Sequence, residues 1–281
     1  MEQFLELHHL SYKYDGIGAS KLDVLSDISL FLGDNECVCL VGPSGSGKTT
    51  LIQQFTGLLR PTKGRVLFRG QDIWTTSFKQ SEVRRNIGLV FQFPEIQLFE
   101  ETVGKDIAFG PRNLGLPVET IEERVNSALL DVGVDADRFR ERSPFHLSEG
   151  EKRKIAIAGV LAMQPRMLVF DEPTAGLDPR GVRRFTDLIK RLLSQEKSIL
   201  IVTHNMDFVA EVADRVLAMS QGRIVYDGAP RHLFNDREKM HHIGLVPPTL
   251  VDMLSKLDLP IDVEDILSLQ QLKQRLKELN Q

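Results

Sequence analysis

The sequence predicts an α/β fold built on a mainly parallel sheet, and three observations carry that expectation. Four short runs are apolar throughout: CVCLV (37–41), IGLVF (87–91), MLVF (167–170) and ILIV (199–202). Strands of this kind are usually buried on both faces of a sheet. Helical periodicity lies between them, with Ile121, Val125, Leu129 and Val132 on one face and Phe185, Leu188, Ile189, Leu192 and Leu193 on another. The first apolar strand runs directly into a glycine-rich loop and a further helical run. Buried strands alternating with helices give parallel pairing.

The flanking segments read differently. Phe4, Leu5, Leu7 and Leu10, and then VLSDISLFL (24–32), predict antiparallel strands, with Asp15-Gly16-Ile17-Gly18 as turn material. After about residue 230 the pattern changes, and Val246-Pro247-Pro248 interrupts it. Two amphipathic helices are expected over 250–257 and 266–279, separated by Leu259-Pro260-Ile261-Asp262. The second carries Ile266, Leu269, Leu272, Leu276 and Leu279 on its apolar face. Such a tail is too small to be a catalytic domain.

Composition narrows the function classes. The 281 residues suffice for one large α/β domain with an appendage. Hydrophobic residues at 42% and charged residues at 26% are ordinary for a globular protein. A net charge of −4 gives no sign of a general nucleic-acid-binding surface. Two cysteines exclude a disulfide scaffold. Cys37 and Cys39 point to the same face of one strand and amount to half a typical zinc site, so core packing is expected of them. The segment MEQFLELHHL has acids where a secretory signal has bases, so no targeting segment is expected. The run IAIAGVLAM (155–163) is far shorter than the roughly 18–20 residues that cross a bilayer.

The loop after the first apolar strand is GPSGSGKT, from Gly42 to Thr49, and fits G-x-x-x-x-G-K-[ST] at every position. The strand before it and the helical run TTLIQQFTGLL after it supply the required context. Glycines allow successive backbone N–H groups to converge on phosphate oxygens, and the helix N-terminus favours negative charge. Gly42, Ser44, Gly45, Ser46, Gly47, Lys48, Thr49 and Thr50 are therefore candidate nucleotide-binding residues. Lys48 is expected to reach the β- and γ-phosphates, and the Thr49 hydroxyl to ligate Mg²⁺.

The run LVFDE (168–172) is an apolar strand ending in two acids, at the edge where ligands bind in open α/β sheets. Asp171 is expected to hold Mg²⁺, directly or through water, and Glu172 to act on the attacking water as general base. His204 follows the next apolar strand and is placed to donate a hydrogen bond to the γ-phosphate. Gln92, after IGLVF, is placed to orient water or to bind Mg²⁺ through its amide.

Taken in order, these motifs resemble the nucleotide-binding subunit of an ATP-binding cassette (ABC) transporter, over about residues 4–230. The match includes the phosphate loop, the glutamine loop at Gln92, a signature at Leu147-Ser148-Glu149-Gly150-Glu151, the acids Asp171-Glu172, a D-loop at Ala175-Gly176-Leu177-Asp178 and a switch histidine at His204. The resemblance implies a P-loop NTPase core with an N-terminal antiparallel β subdomain, a helical signature subdomain over about 93–165, and a 231–281 helical tail as a possible dimerisation element. It also implies that Tyr14, with Tyr12 as the alternative, stacks on adenine. ATP would lie between one subunit's phosphate loop and the other's signature. Ser148 and Gly150 would then touch the partner's nucleotide, and Asp178 would set geometry across the interface. The signature departs from the common Leu-Ser-Gly-Gly-Gln by Glu149 and Glu151. These acids are unfavourable beside a nucleotide unless they point away or pair with Lys152 or Arg153.

A narrower resemblance is to the energy-coupling factor (ECF) and cobalt/nickel importer branch. It rests on FQFPEIQLF (91–99), TVGKDIAFGPRNLG (102–115), AIAGVLAM (156–163) and the Pro247-Pro248 tail. The branch implies an ATP-hydrolysing motor at the cytoplasmic face of the cell membrane, using ATP and Mg²⁺, for import of a vitamin or a transition-metal ion. Its partners would be a second cassette ATPase, alike or different, a transmembrane coupling protein and a substrate-binding membrane protein. Glu95, Glu100, Glu101 and Asp106 are candidate receivers for arginines of the coupling protein, with an ordinary solvated acidic face as the alternative. Competing readings are another kind of ABC importer, a cassette ATPase of DNA repair or translation, and a regulatory subunit that binds ATP but barely hydrolyses it.

Overall fold

The computed structural model describes residues 3–15, 21–257 and 266–279. Asp15 begins the expected first turn, whose remainder at 16–18, like the tail linker at 259–262, lies outside the described residues. Among the described residues the strands are β1 (Gln3–Asp15), β2 (Lys21–Gly33), β3 (Cys37–Val41), β4 (Lys63–Phe68), β5 (Gln71–Asp72), β6 (Ile87–Val90), β7 (Met167–Asp171), β8 (Ser198–Val202), β9 (Arg215–Ser220) and β10 (Arg223–Gly228). The helices are α1 (Lys48–Phe55), α2 (Gln80–Asn86), α3 (Val103–Asn113), α4 (Val118–Asp131), α5 (Ala136–Phe139), α6 (Glu149–Leu161), α7 (Pro179–Ser194), α8 (Met206–Val212), α9 (Pro230–Phe234), α10 (Arg237–Ile243), α11 (Thr249–Leu254) and α12 (Leu269–Leu279).

The strands form two sheets. One has the order β2-β1-β4-β5 and is antiparallel. The other has the order β10-β9-β3-β8-β7-β6 and is parallel except for the β9–β10 pair. Every expected apolar run is a strand of the second sheet. Burial alternates along β3: Cys37, Cys39 and Val41 face the core shared with the helices, while Val38 and Leu40 face the core shared with β1, β2, β4 and α1. A strand covered on both sides has no polar face, which explains its unbroken apolar sequence. Both cysteines are packed in the helix-side core, and the described residues hold no group of three or more His, Cys, Asp or Glu suited to a metal.

Register aligns the functional ends of three strands. Leu40 on β3 pairs with Val202 on β8, and Val202 pairs with Asp171 on β7. The row places the start of the phosphate loop, the end of β8 and the first acid at one edge. The helical region α3–α6 lies between β6 and β7 in sequence and packs on the same core through Val103, Ile107, Val125, Leu129, Ile155 and Ala158.

The tail is partly continuous with this core. Leu233, Phe234, Met240, Ile243, Leu245 and Val251 are buried in the same cluster as the helix face of β3. Asp207, in the first turn of α8, accepts hydrogen bonds from the Thr249 backbone N–H (2.6 Å) and hydroxyl (2.8 Å), which satisfies the start of α11. On α12, Leu269 and Leu276 are exposed, and no described helix is long and apolar enough to cross a membrane.

Helix α6 starts with a reciprocal cap. The Ser148 hydroxyl accepts from the Glu151 backbone N–H, and the Glu151 carboxylate accepts from the Ser148 backbone N–H at 2.8 Å and its hydroxyl at 2.7 Å. These bonds hold the Glu151 carboxyl below the usual carboxylate range. Ser148→Ala is expected to cost about 1 kcal/mol of stability in urea unfolding. Glu151→Gln is expected to cost much less, because glutamine also completes a capping box. An equal loss in both variants would count against this cap.

Candidate nucleotide-binding site

The phosphate loop is shaped by two glycines, Gly42 and Gly47, that nothing larger can replace without displacement. Gly42 has φ 149°, and a Cβ there would lie 2.1 Å from the Met219 carbonyl oxygen on β9. Gly47 caps α1 at φ 103°, against Leu25 and Val24 of β2. Both values lie in the region that side chains avoid. Ser44 and Gly45 are exposed at the loop tip, whereas Ser46 is buried. The Ser46 hydroxyl has no hydrogen-bond partner in the protein.

Lys48 and Thr49 open α1. The Lys48 ammonium donates to the carbonyls of Gly42 and Pro43, each at 2.9 Å. Burial lowers its pKa, while Glu172 and Asp171 oppose the shift. The Thr49 hydroxyl donates to Asp171 Oδ2 at 3.3 Å, joining the loop to the end of β7. Asp171 is itself buried, which raises its pKa; the Thr49 hydrogen bond opposes the rise and Glu172 adds to it. The expected pairing of phosphate loop and acids is therefore a direct contact.

Glu172 stands just past the strand in the left-handed backbone region, at φ 48°. For a residue other than glycine this costs roughly 1–3 kcal/mol, and it persists only where neighbours hold it. Its N–H donates to Val202 at 2.8 Å, continuing the hydrogen bonding of β7 to β8 by one residue. Its Oε2 is buried and lacks a properly aligned hydrogen bond, although His204 Nδ1 approaches to 2.9 Å. His204 follows β8, and its side chain is 74% exposed, so the ring bridges the buried acid and solvent.

Tyr14 and Thr50 meet beside α1, with the phenol oxygen 3.3 Å from the Thr50 hydroxyl. Tyr12 packs edge-on against Tyr14 and is the less exposed of the two. That leaves the Tyr14 ring as the available stacking surface. Gln92 is exposed after β6, and its carbonyl accepts a hydrogen bond from Arg153.

The signature lies elsewhere on the chain. Ser148 and Gly150 line a cleft of about 500 Å³ with Arg153, Leu177, Gly181 and Arg184, and no phosphate-loop residue borders it. A Cβ at Gly150 would meet nothing within 4 Å, so backbone there is open to approach. Asp178 caps α7 by accepting from Gly181 N–H at 2.6 Å. Glu149 is exposed. Glu151 turns back onto Ser148.

The acidic cluster after the glutamine loop makes contacts within the chain. Asp106 accepts the backbone N–H groups of Phe99 and Glu100, both at 2.9 Å. Glu101 pairs with Lys105 at 2.6 Å, Glu100 lies 4.0 Å from Arg112, and Glu95 lies 3.8 Å from Arg153. These acids are used within the chain, and the surface beside them is apolar: Phe99 and Phe109 stack edge-on at 4.8 Å along a groove of about 540 Å³.

The whole chain matches known proteins. The ABC transporter family profile matches residues 25–175. The energy-coupling factor transporter ATP-binding protein EcfA2 of Caldanaerobacter subterraneus is 42% identical over 276 residues, covering 97% of this chain and 96% of that protein. EcfA2 of Symbiobacterium thermophilum is 50% identical over 233 residues, covering 83% and 81%. Among solved structures, cbiO1 from Clostridium perfringens, part of the ABC transporter complex cbiONQ, superposes with a TM-score of 0.76 at 34% identity, covering 91% of this chain and 100% of that one. The chain belongs to the ABC transporter family, as one of its ATP-binding, ATP-hydrolysing subunits.

Proposed function

We propose that the chain is the ATPase motor of an energy-coupling factor type importer, at the cytoplasmic face of the cell membrane. The observation that carries this is end-to-end similarity to proteins named energy-coupling factor transporter ATP-binding proteins. Its cargo class is a vitamin or a transition-metal ion. Its partners are a second cassette ATPase, a transmembrane coupling protein and a substrate-binding membrane protein. The apolar groove at Phe99 and Phe109 supports contact with an apolar helix of the coupling protein.

Residues on the sheet edge support the chemistry. Backbone N–H groups of the phosphate loop and Lys48 bind the β- and γ-phosphates, and Tyr14 stacks on the adenine. Mg²⁺ fits the donor set: Thr49, Asp171 and Gln92 offer hard oxygen ligands, two of them already within 3.3 Å of each other. When bound, the ion neutralises charge on the transferring phosphate. The Ser46 hydroxyl and Glu172 Oε2 are buried polar atoms without an aligned hydrogen bond that a hydrated nucleotide would satisfy. Glu172 takes a proton from water as its oxygen attacks the γ-phosphorus and ADP leaves. His204, beside Glu172, donates to the γ-phosphate. Ser148 and Gly150 act on the nucleotide held by the facing subunit, where the Ser148–Glu151 cap on α6 keeps that helix N-terminus formed.

In Glu172→Gln, ATP binding and nucleotide-dependent pairing of subunits are expected to persist while turnover falls by roughly 100-fold or more. Unchanged hydrolysis would remove Glu172 from the role of base. The transport assignment is tested by affinity recovery of the tagged chain from gently solubilised native membranes, with mass identification of what accompanies it. A transmembrane coupling protein is expected, and recovery of soluble partners alone would defeat the assignment.

A further inference from the structure

One side chain joins the signature helix to both loops that carry the chemistry. Arg153 lies in the second turn of α6, five residues after the Ser148 cap. Its Nη1 donates to the Ala175 carbonyl at 2.8 Å, and its Nη2 donates to the Gln92 carbonyl at 3.0 Å. Its Nε faces Glu95 Oε2 at 3.8 Å. The side chain is only 13% exposed, and Glu95 is similarly enclosed at 20%. Each face of one guanidinium fork is thus spent on a different segment: the glutamine loop, the short 3₁₀ turn Pro94–Gln97 that follows it, and the loop between Glu172 and Asp178.

Those segments are tightly linked to the reacting groups. Ala175 N–H donates to the Glu172 backbone carbonyl at 3.1 Å, which ties Ala175 to the backbone that carries the acid. Gln92 contributes its own carbonyl, which fixes the peptide from which its amide side chain projects. A rigid, planar, five-donor fork can hold two carbonyls from separate loops at once, whereas an ammonium on a flexible stem concentrates its charge at one point.

We propose that Arg153 is a positioning residue that locks the glutamine loop and the Glu172–Asp178 loop to the signature helix, so that movement of the signature is transmitted to the chain's own hydrolytic groups. The inference rests on the composite-site reading above. There, α6 serves the nucleotide of the facing subunit, whereas Gln92 and Glu172 serve the chain's own. Arg153 therefore links the two sites of a pair. No pattern in the sequence marks it, because its partners are backbone carbonyls distant along the chain.

The test uses Arg153→Lys and Arg153→Met in the full chain, within the assembly recovered from membranes. Steady-state ATP turnover, its dependence on ATP concentration, the melting temperature and amide hydrogen exchange are measured beside the parent and Glu172→Gln. In both variants kcat is expected to fall by roughly tenfold or more, with KM for ATP within about twofold of the parent and the melting temperature nearly unchanged. The Hill coefficient for ATP is expected to fall toward one. Amides of residues 92–97 and 173–178 are expected to exchange faster, with those of β3 and β8 unaffected. A kcat within about twofold of the parent in both variants would overturn the proposal, as would a loss shared equally by KM and melting temperature. Unchanged exchange at the two segments would overturn it too, and that readout stands even if Glu172→Gln shows that the hydrolytic reading itself is wrong.

Discussion

The register between β3, β8 and β7 is the constraint on which the site depends. Leu40, Val202 and Asp171 form one row across the sheet. That row lets the Thr49 hydroxyl, in the first turn of α1, reach the Asp171 carboxylate on a strand two places from β3. A slip of one residue would move Asp171 by about 3.3 Å and turn its side chain to the other face. The register is enforced by burial on both sides: alternate residues of β3 and β7 belong to different cores, so any slip would exchange every packed contact. Packing energy, rather than any bond within the site, thus sets where the charges meet.

The site in turn concentrates strain and desolvation at that edge. Lys48 and Asp171 are both shifted toward their neutral forms by burial, and each partly relieves the other. Glu172 occupies a left-handed backbone position held by the Val202 carbonyl, and keeps a buried carboxylate oxygen without an aligned partner. Features of this kind are costly for a protein that only needs to fold, and they coincide with the residues proposed to bind and hydrolyse a triphosphate. The helical region α3–α6 places the signature cap away from this edge, in line with a site completed by a second subunit.

Much of this was legible in the sequence where local chemistry and position coincide. Runs such as CVCLV and ILIV announce two-sided burial, and the spacing from Gly42 to Thr49 leaves few alternatives for the loop. Strands β4, β5, β9 and β10 were not anticipated. On β4 half the residues are exposed, and β10 alternates exposed with half-buried positions, so no apolar run marks these two; β9 does carry one, the buried residues Val216, Leu217, Ala218 and Met219. Glu151 was read as a departure at a ligand surface, yet Ser148-x-x-Glu151 is also a capping-box spacing, and that local bond won. For the acids from Glu95 to Asp106, sequence displays charge without its partners within the chain. In the fold Asp106 braces the loop at Phe99 and Glu100, and an aromatic groove lies beside the acids. Arg153 stayed hidden for the same reason.

The most direct measurement of the central claim is a structure of the assembly carrying Glu172→Gln, trapped with ATP and Mg²⁺. The account predicts a triphosphate on the loop from Gly42 to Thr49, with the metal beside Thr49 and Asp171. It also predicts that the γ-phosphate lies within hydrogen-bond distance of the facing subunit's signature and not of this chain's own Ser148. A nucleotide held by the phosphate loop and Ser148 of the same chain, or one bound away from Asp171, would contradict it.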